Sequence, residues 1–179
     1  MVEDVKSYSG EYRRRQILGV ALRLFLANGY AGTPMSAIAS EVGVSKAGLY
    51  HHFKNKDEVL RSLYLPAFAK IEALLDEGCE WRELLEKYLE IMLENRGLLA
   101  LMMADLSVAS RPGVGERREA MDHRLLVALT GEGATLTNRM RGECALGALR
   151  SAVMGFPDAD DATVREVGLE AAEAVLGLP

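Results

Sequence analysis

A chain of 179 residues, 49% of them hydrophobic, can fill one large core or two small ones. No apolar run approaches the roughly eighteen residues that would suggest a membrane span, and the N-terminus MVEDVKSYSGEYRRR lacks the apolar centre of an export signal. The net charge of −5 is unevenly divided: residues 1–56 hold eight Lys or Arg against four Asp or Glu, and residues 57–179 hold thirteen against twenty-two. A basic head that can meet phosphate therefore precedes an acidic body that repels it. Cys79 and Cys144 have no metal-type spacing. Without an export signal they are expected to be reduced, which implies a cytoplasmic protein.

Helical periodicity dominates, with no alternating strand pattern and no internal repeat. Residues 1–10 are polar enough to be a disordered arm. The first predicted helix spans about Glu11 to Asn28, with the stripe Ile17, Val20, Ala21, Leu24, Phe25 and a stop at Gly29. Thr33 is expected to cap the second, which has Pro34 at its first position and runs to about Val42. Ser45 caps a short third helix ending near Phe53, and Asn55 with Glu58 opens the fourth as a capping-box-like pair. The fourth runs from Lys56 to about Glu77 and contains Pro66, which should kink it. Five more follow: Glu80–Asn95, Leu98–Ala109, about Glu116–Leu129, about Leu136–Met154, and one closing near Leu176. The expected fold is all-α, with about nine helices: a head over residues 11–55 and a bundle over 56–179.

The stretch TPMSAIASEVGVSKAGLYHHFKNK, Thr33 to Lys56, has the layout of a helix-turn-helix. Ala39 lets two helices touch, and Gly43 supplies the turn. Such a unit lays its second helix in the DNA major groove. Lys46, Ala47 and Gly48 open that helix, where small side chains permit close approach and free N–H groups suit phosphate. Tyr50 and His51 point away from the core residues Leu49 and Phe53, towards DNA. Adjacent His51 and His52 share no helix face, so they are not a metal pair.

The longer segment ILGVALRLFLANGYAGTPMSAIASEVGVSKAGLYHHFKNKDEVL resembles the TetR family of bacterial transcription regulators. Its marks are Phe25 before Asn28-Gly29-Tyr30, Ile38-Ala39, Gly43-Val44-Ser45, and Leu49-Tyr50-His51-His52-Phe53 before Lys54 and Lys56. The resemblance covers about the first third of the chain. It implies an all-α dimer whose grip on DNA a small-molecule inducer weakens. It also implies that Thr33, Ser36 and Lys56 hold phosphates, so the DNA-contacting set is Thr33, Ser36, Ser45, Lys46, Ala47, Gly48, Tyr50, His51, Lys54 and Lys56. Phosphate contacts set register, and base contacts specify. Pro34 and Ala47 stand where the family is often polar. Arg13-Arg14-Arg15 is either a further backbone contact or a solvated helix start.

In the body, the last two helices carry a stripe of small and apolar residues. Ala148, Ala152, Gly155, Val164, Val167, Ala171 and Val175 are expected at a four-helix dimer interface like that of the family. A two-fold operator needs two heads about one duplex turn apart, roughly 34 Å. Between the fourth and seventh helices, Tyr64, Phe68, Ile71, Tyr88, Met92, Met102, Met103, Leu106, Met121 and Leu125 could line a pocket for an apolar or amphipathic ligand, methionine being adaptable in shape. The same residues could equally be core. Tyr64, Tyr88, Asp105, His123 and Arg124 are candidates for its polar orientation, with solvated surface the alternative for Arg124 or Asp105.

No Ser-His-Asp ordering, metal-ligand cluster or phosphate-cradling glycine loop marks an enzyme, and no cofactor is expected. The expected partners are a double-stranded operator, a small molecule and a second copy of the chain, with no membrane. The competing reading is a constitutive DNA-binding protein with a filled core.

Overall fold

In the computed structural model, the backbone is described for residues 2–177 and the side chains for residues 10–177. These residues form ten α-helices and no strand: α1 Val2–Asn28, α2 Met35–Val42, α3 Lys46–His52, α4 Lys56–Glu77, α5 Trp81–Glu94, α6 Arg96–Ala104, α7 Leu106–Ala109, α8 Gly115–Thr130, α9 Leu136–Gly155 and α10 Asp161–Leu176. The all-α expectation holds. Met1, Leu178 and Pro179, parts of the expected arm and body, lie outside the described residues.

Two boundaries differ from expectation. Helix α1 begins at Val2 rather than Glu11, so residues 2–10 are helical. That stretch has no proline, and its single Gly10 costs a propagating helix only about 1 kcal/mol. The expected helix Leu98–Ala109 is two helices, because Asp105 takes an extended conformation (φ −127°, ψ 93°) between α6 and α7. The Asp105 side chain then accepts the Ser107 N–H and opens α7.

The head is built on α1–α3. Ile17, Ala21 and Phe25 of α1 meet Ile38 and Ala39 of α2 and Leu49 and Phe53 of α3, all buried. Gly43 ends α2 in the left-handed region at φ 75°, where a side chain would be strained. Ser45 Oγ accepts the Gly48 N–H at 3.0 Å, capping α3 as expected. Asn55 Oδ1 accepts the Glu58 N–H at 2.8 Å, and Glu58 Oε2 accepts the Lys54 N–H at 2.7 Å, so α4 opens as the sequence predicts.

Val59 and Leu60 of α4 carry the head core into the body. Helix α4 continues through Pro66, which sits on its exposed side. Its inner face, with Tyr64, Phe68 and Ile71, packs among α5, α6 and α8. Helices α9 and α10 close the body as an antiparallel pair. They approach closely: a Cβ on Gly168 would stand 3.2 Å from Ala152 Cβ. Arg96 Nη2 reaches Asp161 at 2.9 Å and ties α6 to the start of α10.

Candidate nucleic-acid interface and effector cavity

The exposed face of the head gathers Ser36 from α2, Lys46, Ala47, Tyr50 and His51 from α3, and Lys54 beyond it. Tyr50 is 50% exposed although it neighbours the wholly buried Leu49. Lys46 opens α3 at its N-terminal, dipole-positive end, while Tyr50 and His51 stand in its last turn and Lys54 follows it. Burial lowers the His52 pKa, and the neighbouring His51 adds to this. The His52 ring is set edge-on to His51.

Several predicted contacts have other duties. Thr33 is 1% exposed, and its hydroxyl, with one proton to give, lies 2.9 Å from Gly29 O and 3.1 Å from Leu24 O. It neither caps α2, whose N-cap Pro34 has no side-chain bond, nor reaches DNA. The reason is local: the Gly29 carbonyl lies just past the end of α1, and the Thr33 hydroxyl turns back to it. Lys56 also turns inward. Its Nζ donates to Tyr30 O at 2.6 Å and lies 4.3 Å from the Tyr30 ring centroid. Burial, and then Arg111 nearby, lower its pKa. Lys56 therefore braces the α1–α2 turn. Gly48 is half-buried, and a Cβ there would meet Ser45 Oγ at 3.3 Å. Its smallness keeps the α3 cap seated.

Arg14 is a clamp. It donates to His52 O at 2.9 Å and Ser62 Oγ at 2.8 Å and stacks over Phe53, joining α1 to α3 and α4. Arg13 bonds Gln16, and Arg15 pairs with Glu11 on the surface.

Head and body meet at Tyr30. Its N–H donates to Asp105 Oδ2 at 3.0 Å, and its hydroxyl donates to Asp57 Oδ1 at 2.6 Å. Arg111, from the α7–α8 loop, lies over the same ring at 4.8 Å and 3.7 Å from Asp57. Burial and the bond to Asp57 push the Tyr30 phenol well up, so it remains a donor. The Asp105 carboxyl is held below the usual range by the Ser107 hydroxyl first, and then, against burial, by the Tyr30 amide. Sequence reasoning placed Asp105 in the pocket or on the surface; it is instead the hook between the α6–α7 junction and the head.

The other side of that junction lines a cavity of about 370 Å3 between α4, α5, α6, α8 and α9. Tyr64, Phe68, Ile71, Tyr88, Met92, Met102, Met103, Leu106 and Met121 all line it, as the sequence suggested. Leu125 does not; it is wholly buried core. Leu106 is 81% exposed, so the cavity opens beside α7. His123 is exposed and Arg124 bonds Asp76 at 2.5 Å on the surface, so neither orients a ligand. The polar lining is Asn95, Arg118, Asp122 and Arg150, which the sequence reading missed. Their signal was present: Arg150 follows the buried Leu149 and lies four residues after buried Leu146, on the inner side of α9.

On the outer side of α9 and α10, Met140, Cys144, Gly155, Val167, Ala171 and Val175 are exposed. Val164 is buried within the chain, and Ala148 and Ala152 pack against its own core. Val164 is thereby corrected from expected interface to intrachain packing, while Ala148 and Ala152 keep part of their surface open. Valine at 164 falls on the side of α10 that faces α5 and α9, a distinction that periodicity alone leaves open.

The sequence profile described as "Bacterial regulatory proteins, tetR family" matches residues 17–63, the head and the start of α4. The chain is 34% identical over 88 residues to the HTH-type transcriptional repressor KstR2 of Rhodococcus jostii (strain RHA1), covering 47% of this chain and 42% of the relative. It spans half or less of the length of the first curated relatives it matches. A transcriptional regulator (TerR/AcrR family) of Aquifex aeolicus VF5 shares the fold with TM-score 0.73, at 23% identity over 91% of this chain and 99% of that one. SCO3833 of Streptomyces coelicolor A3, a member of the TetR transcriptional regulator family, superposes with TM-score 0.69 at 27% identity, over 90% and 89% of the two chains. The helix-turn-helix head thus carries the profile of the TetR family of bacterial regulatory proteins, and the whole bundle shares the fold of TetR-family regulators.

Proposed function

We propose that this chain is a one-component repressor, released from a two-fold symmetric operator when a small molecule enters the cavity. It acts as a homodimer in the cytoplasm. The observation that carries the proposal is the Asp105 junction. One side of α6–α7 lines the cavity with Met102, Met103 and Leu106, and the other side holds the Tyr30 N–H of the head. A ligand that displaces α6 and α7 strains that bond and changes the head's angle on α4. It does so only through different affinity for the two arrangements. The repressor reading is further supported by the relative named a repressor. Exposed Lys46, Tyr50, His51 and Lys54 supply the DNA face, while the outer face of α9 and α10 supplies the dimer.

The constitutive DNA binder has a filled core, and a cavity of about 370 Å3 disfavours it. The test is selection of a bound duplex from a random pool, followed by operator titration with and without ligands that raise the thermal midpoint. The proposal expects at least one stabilising ligand to weaken operator binding, because coupling between two sites is reciprocal. Ligands that fill the cavity and leave operator affinity unchanged overturn release by an inducer and favour the constitutive reading. No duplex selected at low salt overturns the regulator.

A further inference from the structure

The cavity has one uncompensated cation. Its walls are apolar on α4 and α6, but at the corner where α5, α8 and α9 meet stand Arg118, Asp122, Arg150 and the Tyr88 ring. Arg118 and Asp122 pair along α8 at 2.7 Å. Arg150 has no acidic partner among the described residues. Its Nε and Nη2 are out of solvent without a hydrogen-bond acceptor there, and so is Arg118 Nε. Burial raises the Tyr88 phenol, and Arg150 opposes this by its charge and by a hydrogen bond to the phenol, a neutral partner that leaves the charge unpaired. Two guanidinium groups thus face one carboxylate inside a largely apolar space. Buried charged donors without acceptors are costly, and a native fold ordinarily supplies the partner.

We infer that the missing partner is the ligand's own acidic group, and that the cavity takes a medium-chain amphiphile bearing one carboxylate, seated on Arg150 with its apolar chain along Phe68, Met92 and Met102. The inference rests on the cavity being the effector site. A guanidinium fork matches a carboxylate with two parallel bonds. Size follows from volume: about 370 Å3 holds roughly twelve heavy atoms at about 30 Å3 each, the share a water molecule takes in liquid. Decanoate has that many. The chain end then points to the mouth at Met103 and Leu106, beside Asp105, so the buried acid and the head-releasing junction lie at opposite ends of one ligand.

The experiment compares decanoate, decanol and the coenzyme A thioester of decanoate by calorimetry and thermal shift. The proteins are the full chain, Arg150→Met and Asp122→Asn. Decanoate is expected to bind the natural chain at least tenfold more tightly than decanol. R150M should lose that advantage and bind decanol unchanged. Its ligand-free thermal midpoint should not fall, because the substitution removes an unpaired buried cation. D122N, which frees the Arg118 fork, should tighten decanoate and leave decanol unaffected; it carries the test if R150M fails to fold. Equal binding of acid and alcohol, indifferent to both substitutions, overturns the carboxylate seat while leaving an effector cavity. Binding of the thioester but not the free acid overturns it as well. Binding of none of the three overturns the seat and the effector cavity together.

Discussion

Thr33 and Tyr50 show why residue type in a motif does not settle a side chain's work. Both belong to the helix-turn-helix stretch, yet the Thr33 hydroxyl is bonded inward to two carbonyls and the Tyr50 ring is half-exposed on α3. Tyr50→Ala and Lys46→Ala are therefore expected to weaken binding to a selected operator at least tenfold with the urea midpoint unchanged. Thr33→Val should do the reverse. It removes the one hydroxyl proton that Gly29 O and Leu24 O share, should lower stability by about 1 kcal/mol, and should leave the affinity of folded protein unchanged. Paired urea unfolding and duplex titration check all three, and a T33V protein of full stability with impaired DNA binding would restore the phosphate role. Asp105 offers a pH test. Its folded pKa is depressed, by the Ser107 hydroxyl first and the Tyr30 amide later. The stability it contributes is therefore present above its unfolded pKa, near 3.9, and is lost as pH falls through the lower folded value. The Tyr30 amide resonance should move with a midpoint below that unfolded value and should show no such step in Asp105→Asn. A Tyr30 amide indifferent to pH between 2 and 5 in the natural protein removes the hook.

Elements with local chemistry at both ends were legible, and those fixed by distant contacts were not. Helix α3 has Ser45 at its start and the helix-turn-helix glycine before it, so its limits follow from sequence. The expected cap is there, with Ser45 Oγ on the Gly48 N–H. Ser45→Ala should cost about 1 kcal/mol, measured by chemical unfolding. Gly48→Ala, which crowds the same oxygen at 3.3 Å, should be destabilising too, despite alanine's better helix propensity. A stabilised G48A would mean that the cap yields easily. Helices α6 and α7 read as one because Leu98 to Ala109 is an unbroken helical pattern of mostly apolar residues. The break is imposed by Asp105, whose other oxygen is bonded to Tyr30, a residue 75 positions away. No periodicity reports that bond. The cavity was half legible for a related reason. Methionines and aromatics between α4 and α8 announce apolar walls, whereas Arg150 looks like surface until α9 is seen with Leu146, Leu149 and Val153 buried around it.

At the scale of the molecule, the charge division reappears as architecture: a basic head, a junction at Tyr30, and an acidic body ending in two closely packed helices. One head alone makes few base contacts, and a pair set one duplex turn apart reads two half-sites. In the proposed dimer the outer face of α9 and α10 pairs them. Val167 is 55% exposed there, and Ala171, Cys144 and Gly155 are short enough for another helix pair to approach. A stable interface on this face should bury at least about 1,200 Å2 in total. Val167→Glu and Ala171→Glu should therefore yield monomers in sedimentation while circular dichroism stays unchanged. The same monomers should bind a two-fold duplex no more tightly than a single half-site. Ala148→Glu is not equivalent. Ala148 packs against the chain's own core, so that change should lower the thermal midpoint as well as alter mass. Salt separates the remaining possibilities. A dimer on both half-sites releases about twice the counterions of a single head, so its log affinity should fall about twice as steeply with log salt as that of V167E. Dimers that persist in both V167E and A171E, with an undiminished salt slope, place the interface on another face.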